Sequence, residues 1–192
     1  MVCGSMLCLD HVKLKTVCPS HSNNRPEFAF TVGKVATDDE RSTIRELVRE
    51  FWGEEEQLTF DRRFELAELP AYVAKIDNDL VGFVSFAEIS DFLIIVALGV
   101  LPSYQGGSVG TKLVEEVEKE AKSQGKKEML VSTSNDDLPA LAFYQRLGFQ
   151  IVEVKPNVIA QKHETFLQGI GGLPIRDEIR LRKGLSEACS SL

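Results

Sequence analysis

Residues 98–149 read LGVLPSYQGGSVGTKLVEEVEKEAKSQGKKEMLVSTSNDDLPALAFYQRLGF. This stretch decides the fold. An apolar strand ends at Leu98-Gly99-Val100, and a turn carries Gly106, Gly107 and Gly110. An amphipathic helix with Val109, Leu113, Val117 and Ala121 on one stripe follows. Glycines before a helix start let the backbone turn tightly and aim several N–H groups one way. Free N–H groups and the helix dipole both favour negative charge, so the turn predicts a phosphorylated ligand. Two phosphate motifs fail on spacing. Thr111-Lys112 follows Gly110 where a nucleotide P-loop requires Lys before Ser or Thr. Gly106, Gly107 and Gly110 do not match G-x-G-x-x-G, and no βαβ unit opens the chain.

The pattern that fits is a Gln or Arg followed at fixed spacing by small residues, here Gln105-Gly-Gly-Ser-Val-Gly110. With Tyr144-x-x-Leu-Gly-Phe149 closing the next helix, residues 30 to 155 resemble the GNAT superfamily of N-acetyltransferases. The resemblance implies that Gln105, Gly106, Gly107, Ser108, Val109, Gly110 and Thr111 hold the pyrophosphate of acetyl-CoA. Ser108 stands where the family has glycine. A Cβ there disfavours positive φ, so the two preceding glycines are expected to relieve the turn.

The resemblance also implies that the strand ending Leu98-Gly99-Val100 splays from its neighbour. Its exposed N–H and C=O groups would pair with the pantetheine arm and polarise the thioester carbonyl. Glycine inside a strand marks a bulge or a close backbone approach. Tyr144 is the expected general acid for the departing thiolate; the bland alternative is a packed boundary tyrosine. Phe143 and Leu147 are taken as the core face of that helix. Asn135 is expected to bond the pantetheine or the acceptor, with capping of Ser134-Asn-Asp-Asp137 as its ordinary role. Arg146 is placed to reach the coenzyme's phosphates. The family's glutamate on the strand before the loop is replaced by Ile94. Glu88 is the candidate base, with Asp91 beside it, acting directly or through water. The acceptor, a primary amine on a small molecule or a protein, is expected between Phe51–Gln57, where Trp52 and Glu54–Glu56 lie, and Gly171–Glu178.

The flanks read as follows. Thr37-Asp-Asp-Glu40 is a capping box opening a helix that ends at Gly53. A second short helix is expected over 60–69, before Pro70. Strands are expected over 28–35, 72–76, 80–89, 92–101, 129–133, 150–154 and 178–182, with helices over 109–124 and 138–147 and a loop over 156–174. The order is mixed α/β (α+β), and the resemblance implies a mostly antiparallel central sheet, helices on both faces and a splayed strand pair at the coenzyme site. Residues 1–27 read as a weakly structured leader, and 28–192 as the transferase domain.

The chain has 192 residues, 43% of them apolar and 27% charged, with a net charge of −7. That balance argues against nucleic-acid binding, which depends on clustered Lys and Arg. It is compatible with a cationic acceptor. No apolar run is long enough to span a membrane, and no signal-peptide pattern opens the chain, so a cytoplasmic location is expected. Cys3, Cys8, Cys18 and Cys189 lie near the termini. Cys8-x2-His11 and Cys18-x2-His21 have poor spacing for a zinc finger, and no metal is expected. With no cysteine near the loop, transfer is expected to be direct, within a ternary complex. A homodimer is compatible with the sequence. The rival readings are a non-catalytic acyl-CoA binder or sensor of the same fold, and a partner-binding subunit docked by the leader.

Overall fold

A computed structural model describes residues 29–162 and 167–185. The leader, the four cysteines and the two Cys-x2-His spacings lie outside the described residues. Strand β1 (Thr31–Lys34) leads into α1 (Asp38–Trp52). A hairpin of β2 (Glu56–Thr59) and β3 (Arg62–Glu65) follows. Next come β4 (Ala71–Ile76), β5 (Asp79–Ile89), β6 (Phe92–Val100) and α2 (Val109–Ser123). The chain continues through β7 (Glu128–Ser134), α3 (Leu138–Arg146), β8 (Gln150–Lys155), α4 (Val158–Lys162) and β9 (Glu178–Gly184).

The capping box forms as expected: Thr37 Oγ1 accepts from the Glu40 N–H, and the Glu40 carboxylate accepts from the Ala36 and Thr37 N–H groups. Gly53 ends α1 in the left-handed region at φ +74°, which glycine adopts without a Cβ clash. The turn at Asp77-Asn78 has positive φ at both residues, the geometry that joins twisted strands in a two-residue hairpin.

Seven strands form one sheet in the order β1-β4-β5-β6-β7-β9-β8. Only β6 and β7 pair in parallel; the other neighbours are antiparallel. Helix α1 covers one face with Ile44, Leu47, Val48 and Phe51 against Val73, Phe83 and Ile94. Helices α2 and α3 cover the other, with Leu113, Val117 and Leu141 against Val84, Leu93, Met129 and Leu181. Each such side chain contributes about 1.5–3 kcal/mol of burial free energy. Among the described residues, no helix is long and apolar enough to cross a membrane.

The helix expected over 60–69 is instead the hairpin plus a short 3-10 turn at Leu66–Glu68. Its turn residues, Phe60 and Asp61, have φ of +49° and +59°. Asp tolerates such a turn, but Phe at its first position does not announce it. Tertiary contacts hold it: the Phe60 N–H donates to Glu178 Oε1 at 3.1 Å, and the Arg180 guanidinium lies 4.9 Å over the Phe60 ring. These contacts join residues far apart in sequence, so local pattern does not register them.

Candidate active site

Pairing between β6 and β7 runs from Phe92–Glu128 to Ile95–Val131 and stops there. At that point the register of β5 with β6 shifts, leaving Val96 without a partner position between Ile95 and Ala97. This bulge bends β6 away from β7 and opens a gap between their C-terminal ends. Beyond the bulge, antiparallel pairing fixes which backbone groups face the gap. Leu101 N–H bonds to Val81 O, so Gly99 and Ala97 also turn toward β5, and Leu98 and Val100 turn away from it. The N–H and C=O of Leu98 and the N–H of Val100 therefore face the gap. The Val100 carbonyl accepts from Gln105 Nε2 at 2.9 Å, which ties the glycine-rich loop to the strand end.

Gly99 turns its backbone to β5 and offers nothing to the gap. Its role is space: a Cβ would meet the Phe51 ring at 2.7 Å and the Phe83 ring at 2.9 Å. The close approach anticipated from the sequence is present, and the bulge lies three residues earlier.

On the α2–α3 face, the gap continues into a cleft of about 640 Å³, a size suited to a small ligand. One wall is Val100, Tyr104, Gln105, Gly106, Ser108, Val109, Gly110 and Thr111; the other is Pro139, Ala142, Phe143, Arg146 and Leu147 from α3. The first bond of α2 is Lys112 N–H to Ser108 O, so the preceding N–H groups have no helical acceptor. Arg146 is the one charged side chain of the lining. Free N–H groups, a helix N-terminus and a guanidinium together make an anion site.

Ser108 itself adopts φ +68°, so the neighbouring glycines do not relieve it. Gly106 is also left-handed, at +80°. Gly107 is buried and outside the lining.

Helix α3 meets the sequence expectation in part. Phe143 and Leu147 pack against the edge of the core, as expected, and also line the cleft, while Ala140, Leu141 and Tyr144 are the buried residues of the helix. The reason is the wall that α3 builds opposite α2, where Phe143 lies 3.5 Å from the Cβ position of Gly110. Tyr144 is 2% exposed, packed edge-on against Phe143 and Phe149. Burial raises its phenol pKa, and the Asp137 carboxylate adds to the shift.

Asn135 is fully engaged with the connection between α4 and β9. Its Nδ2 donates to Pro174 O at 2.8 Å, and its Oδ1 accepts from the Arg176 and Asp177 N–H groups at 2.9 Å each. Asp136 beside it accepts from the Ile170 N–H at 3.1 Å.

Glu88 is not brought to the gap. It lies exposed near the far end of β5, opposite Leu93, and accepts from Gln124 Nε2 at 2.9 Å. Leu93 is five residues from Leu98, roughly 16 Å along the strand. Asp91 is on the turn beyond, where Lys127 at 2.6 Å holds its carboxyl below the usual range. Ile94 is fully buried among apolar neighbours.

On the α1 face, the β2–β3 hairpin lies across β7 and β9. Thr59 Oγ1 is 2.6 Å from Ser132 Oγ and 3.2 Å from Glu178 Oε1. Buried Arg180 pairs with Glu178 at 2.8 Å and with Asp61 and Glu153 at 3.1 Å each. No sequence signal pointed to this cluster, because its members come from four separate segments: the β2–β3 hairpin, β7, β8 and β9. Among the described residues, no group of three or more His, Cys, Asp or Glu is placed to hold a metal.

Comparison with known proteins agrees with this geometry. The model of the acetyltransferase (GNAT) family matches residues 40–149. An uncharacterised Bacillus subtilis (strain 168) protein, YxbD, is 27% identical over 150 residues, covering 76% of this chain and 93% of its own length. An IAA acetyltransferase from Bacillus cereus ATCC 14579 superposes with a TM-score of 0.63 at 22% identity, over 81% of this chain and 99% of its own. A Bacillus subtilis acetyltransferase in complex with CoA gives 0.60 at 20% identity, over 82% and 99%. The family match spans more than half of the chain and coincides with the splayed strands, the loop and α3, so the chain belongs to the GNAT family of acetyltransferases.

Proposed function

We propose that this chain is an N-acetyltransferase that moves the acetyl group of acetyl-CoA directly to a primary amine. The observation that carries the reading is the gap where β6–β7 pairing stops at Ile95 and Val131, continuous with the anion site at the start of α2. The fit to an acyl-CoA rests on this chain's own groups. The N–H groups of Val109, Gly110 and Thr111, with Arg146, suit a pyrophosphate. The backbone of Leu98 and Val100 suits an amide-bearing arm lying in the gap like an added strand. The thioester supplies an activated acyl carbon.

The chain's residues then have these tasks. An N–H at the bulged end of β6 polarises the acyl oxygen as negative charge develops on it. The amine nitrogen, entering from the α1 face, forms the C–N bond while the C–S bond breaks. Tyr144 gives its hydroxyl proton to the leaving sulfur and takes one back from solvent before the next turnover. The proton from the amine leaves to water, since no carboxylate lies on β6 at Ile94. Asn135 acts as a positioning residue that holds the 167–177 connection against the end of β7.

Steady-state release of free CoA from acetyl-CoA, with and without a panel of primary amines, tests the reading. Amine-dependent release with matching N-acetylated product is expected. Tight acetyl-CoA binding without release by any amine would establish a non-catalytic acyl-CoA binder instead.

A further inference from the structure

Helices α1 and α3 each begin with a side-chain cap. Thr37 accepts from the Glu40 N–H at 3.2 Å, and Asp137 accepts from the Ala140 N–H at 3.0 Å. Helix α2 begins at Ser108, a residue type that caps well, yet the Ser108 side chain makes no capping bond. A capping residue is ordinarily extended, as Thr37 is at φ −126° and ψ 157°. Ser108 is left-handed, at φ +68° and ψ 1°.

That conformation carries strain and gains no contact in the free protein. A residue with a Cβ is disfavoured in the left-handed region, and such residues collect at ligand sites. Ser108 is exposed, and its hydroxyl has no partner among the described residues. An ordinary cap would place Ser108 Oγ on the N–H of Gly110 or Thr111. The left-handed backbone leaves those N–H groups and the hydroxyl open together.

The open groups share one cleft. Ser108 lines it with Gly110, Thr111 and, from α3, Arg146. Thr111 is three residues on, so it lies on the same side of the helix as Ser108. Its hydroxyl also has no partner among the described residues, whereas Thr43 in α1 bonds back to the Asp39 carbonyl at 3.0 Å. The lining holds no carboxylate. N–H groups, a guanidinium and two hydroxyls can all donate, and a phosphoryl group offers several acceptor oxygens to such a set.

We infer that the Ser108 hydroxyl donates to a pyrophosphate oxygen of the coenzyme, beside the first-turn N–H groups of α2. The side chain is thus a binding group in its own right, which the glycine expected at this position could not be. The inference rests on the coenzyme reading of the cleft.

The test measures binding of CoA and of dephospho-CoA, which keeps the pyrophosphate and lacks the 3′-phosphate, by calorimetry on the full chain. Ser108→Ala keeps the Cβ and removes only the hydroxyl. It is expected to weaken both ligands by the same factor, about tenfold, the loss of one hydrogen bond to a charged group. Its ligand-free Tm should stay within about 1 °C of wild type, because no protein contact is removed. Ser108→Gly is the second arm and should also bind both ligands more weakly, although it relieves the left-handed residue. Unchanged affinity in Ser108→Ala would overturn the inference and leave the hydroxyl to solvent. Tighter binding in Ser108→Gly than in wild type would also overturn it, making the side chain an obstruction. A loss seen with CoA but not with dephospho-CoA would move the hydroxyl to the 3′-phosphate and refute the pyrophosphate contact. Failure of the wild-type chain to bind either ligand would sink the coenzyme reading and the inference with it.

Discussion

Asn135→Ala separates a residue that holds the fold from one that holds the coenzyme. The substitution removes three hydrogen bonds, from Nδ2 to Pro174 O and to Oδ1 from the Arg176 and Asp177 N–H groups. A neutral hydrogen bond contributes about 1 kcal/mol net. Arg176 is exposed, so water can replace its lost partner, while Asn135 and Asp177 are half-buried. The backbone bond from Asn135 N–H to Asp177 O, at 3.0 Å, survives in the variant. The expected loss is therefore about 2–3 kcal/mol of unfolding free energy. Asn135→Asp keeps both acceptances but sets a carboxylate oxygen against the Pro174 carbonyl in place of the donor, so it should cost about 1–3 kcal/mol. Urea unfolding with linear extrapolation measures both. Because Asn135 does not line the cleft, acetyl-CoA Kd should change by less than about twofold in either variant. Unchanged stability with a tenfold loss of acetyl-CoA affinity would refute the assignment and return Asn135 to the coenzyme site.

Other perturbations follow from the same structure. Ser108→Gly relieves a left-handed residue at the loop and should raise Tm by about 1–3 °C; an unchanged or lower Tm would mean the turn is not strained. Arg180→Met strands buried Glu178 without its cation and should cost about 3–5 kcal/mol in chemical unfolding, whereas a loss under about 1 kcal/mol would contradict the pairing. Glu40 is pulled down to about 2 from 4.5, chiefly by its bond to Lys75 and then by the Ala36 N–H. Its folded pKa is depressed, so its contribution is complete above about pH 4.5 and fades as pH falls toward about 2. Acid unfolding curves of wild type and Glu40→Gln should converge over that window, and a constant separation down to pH 2 would remove the carboxylate from the capping box.

Much of the architecture was legible because its signals are local. The capping box at Thr37, the turn at Asp77-Asn78, the buried run of β6 and the stripe of α2 all declare themselves within a few residues. The β2–β3 hairpin was not legible. Phe60 is unusual at positive φ, and Glu178 and Arg180, more than a hundred residues away, hold it there. At the site, the anion-binding turn was readable from its glycines ahead of a helix, and the family resemblance pointed to Gln105, Gly110 and, on α3, Arg146, all of which line the cleft. The orientation of α3 was not. Phe143 and Tyr144 are both aromatic neighbours on one short helix, and only the position of α2 decides which faces the cleft. Glu88 lies near the loop's strand in sequence and far from the gap in space, because the β5–β6 hairpin carries it to the opposite end of the sheet.

Amide hydrogen exchange of the full chain, with and without saturating CoA, tests the central claim most directly. CoA laid along the gap and capped at the start of α2 should slow exchange in segments 98–100 and 106–111, through the Leu98 and Val100 N–H groups that face the gap and the first-turn N–H groups of α2 that have no helical acceptor. Exchange in β1 and β4, at the far edge of the sheet, should be unchanged. Binding of CoA with no protection in those two segments, or with protection confined to the α1 face, would contradict the account.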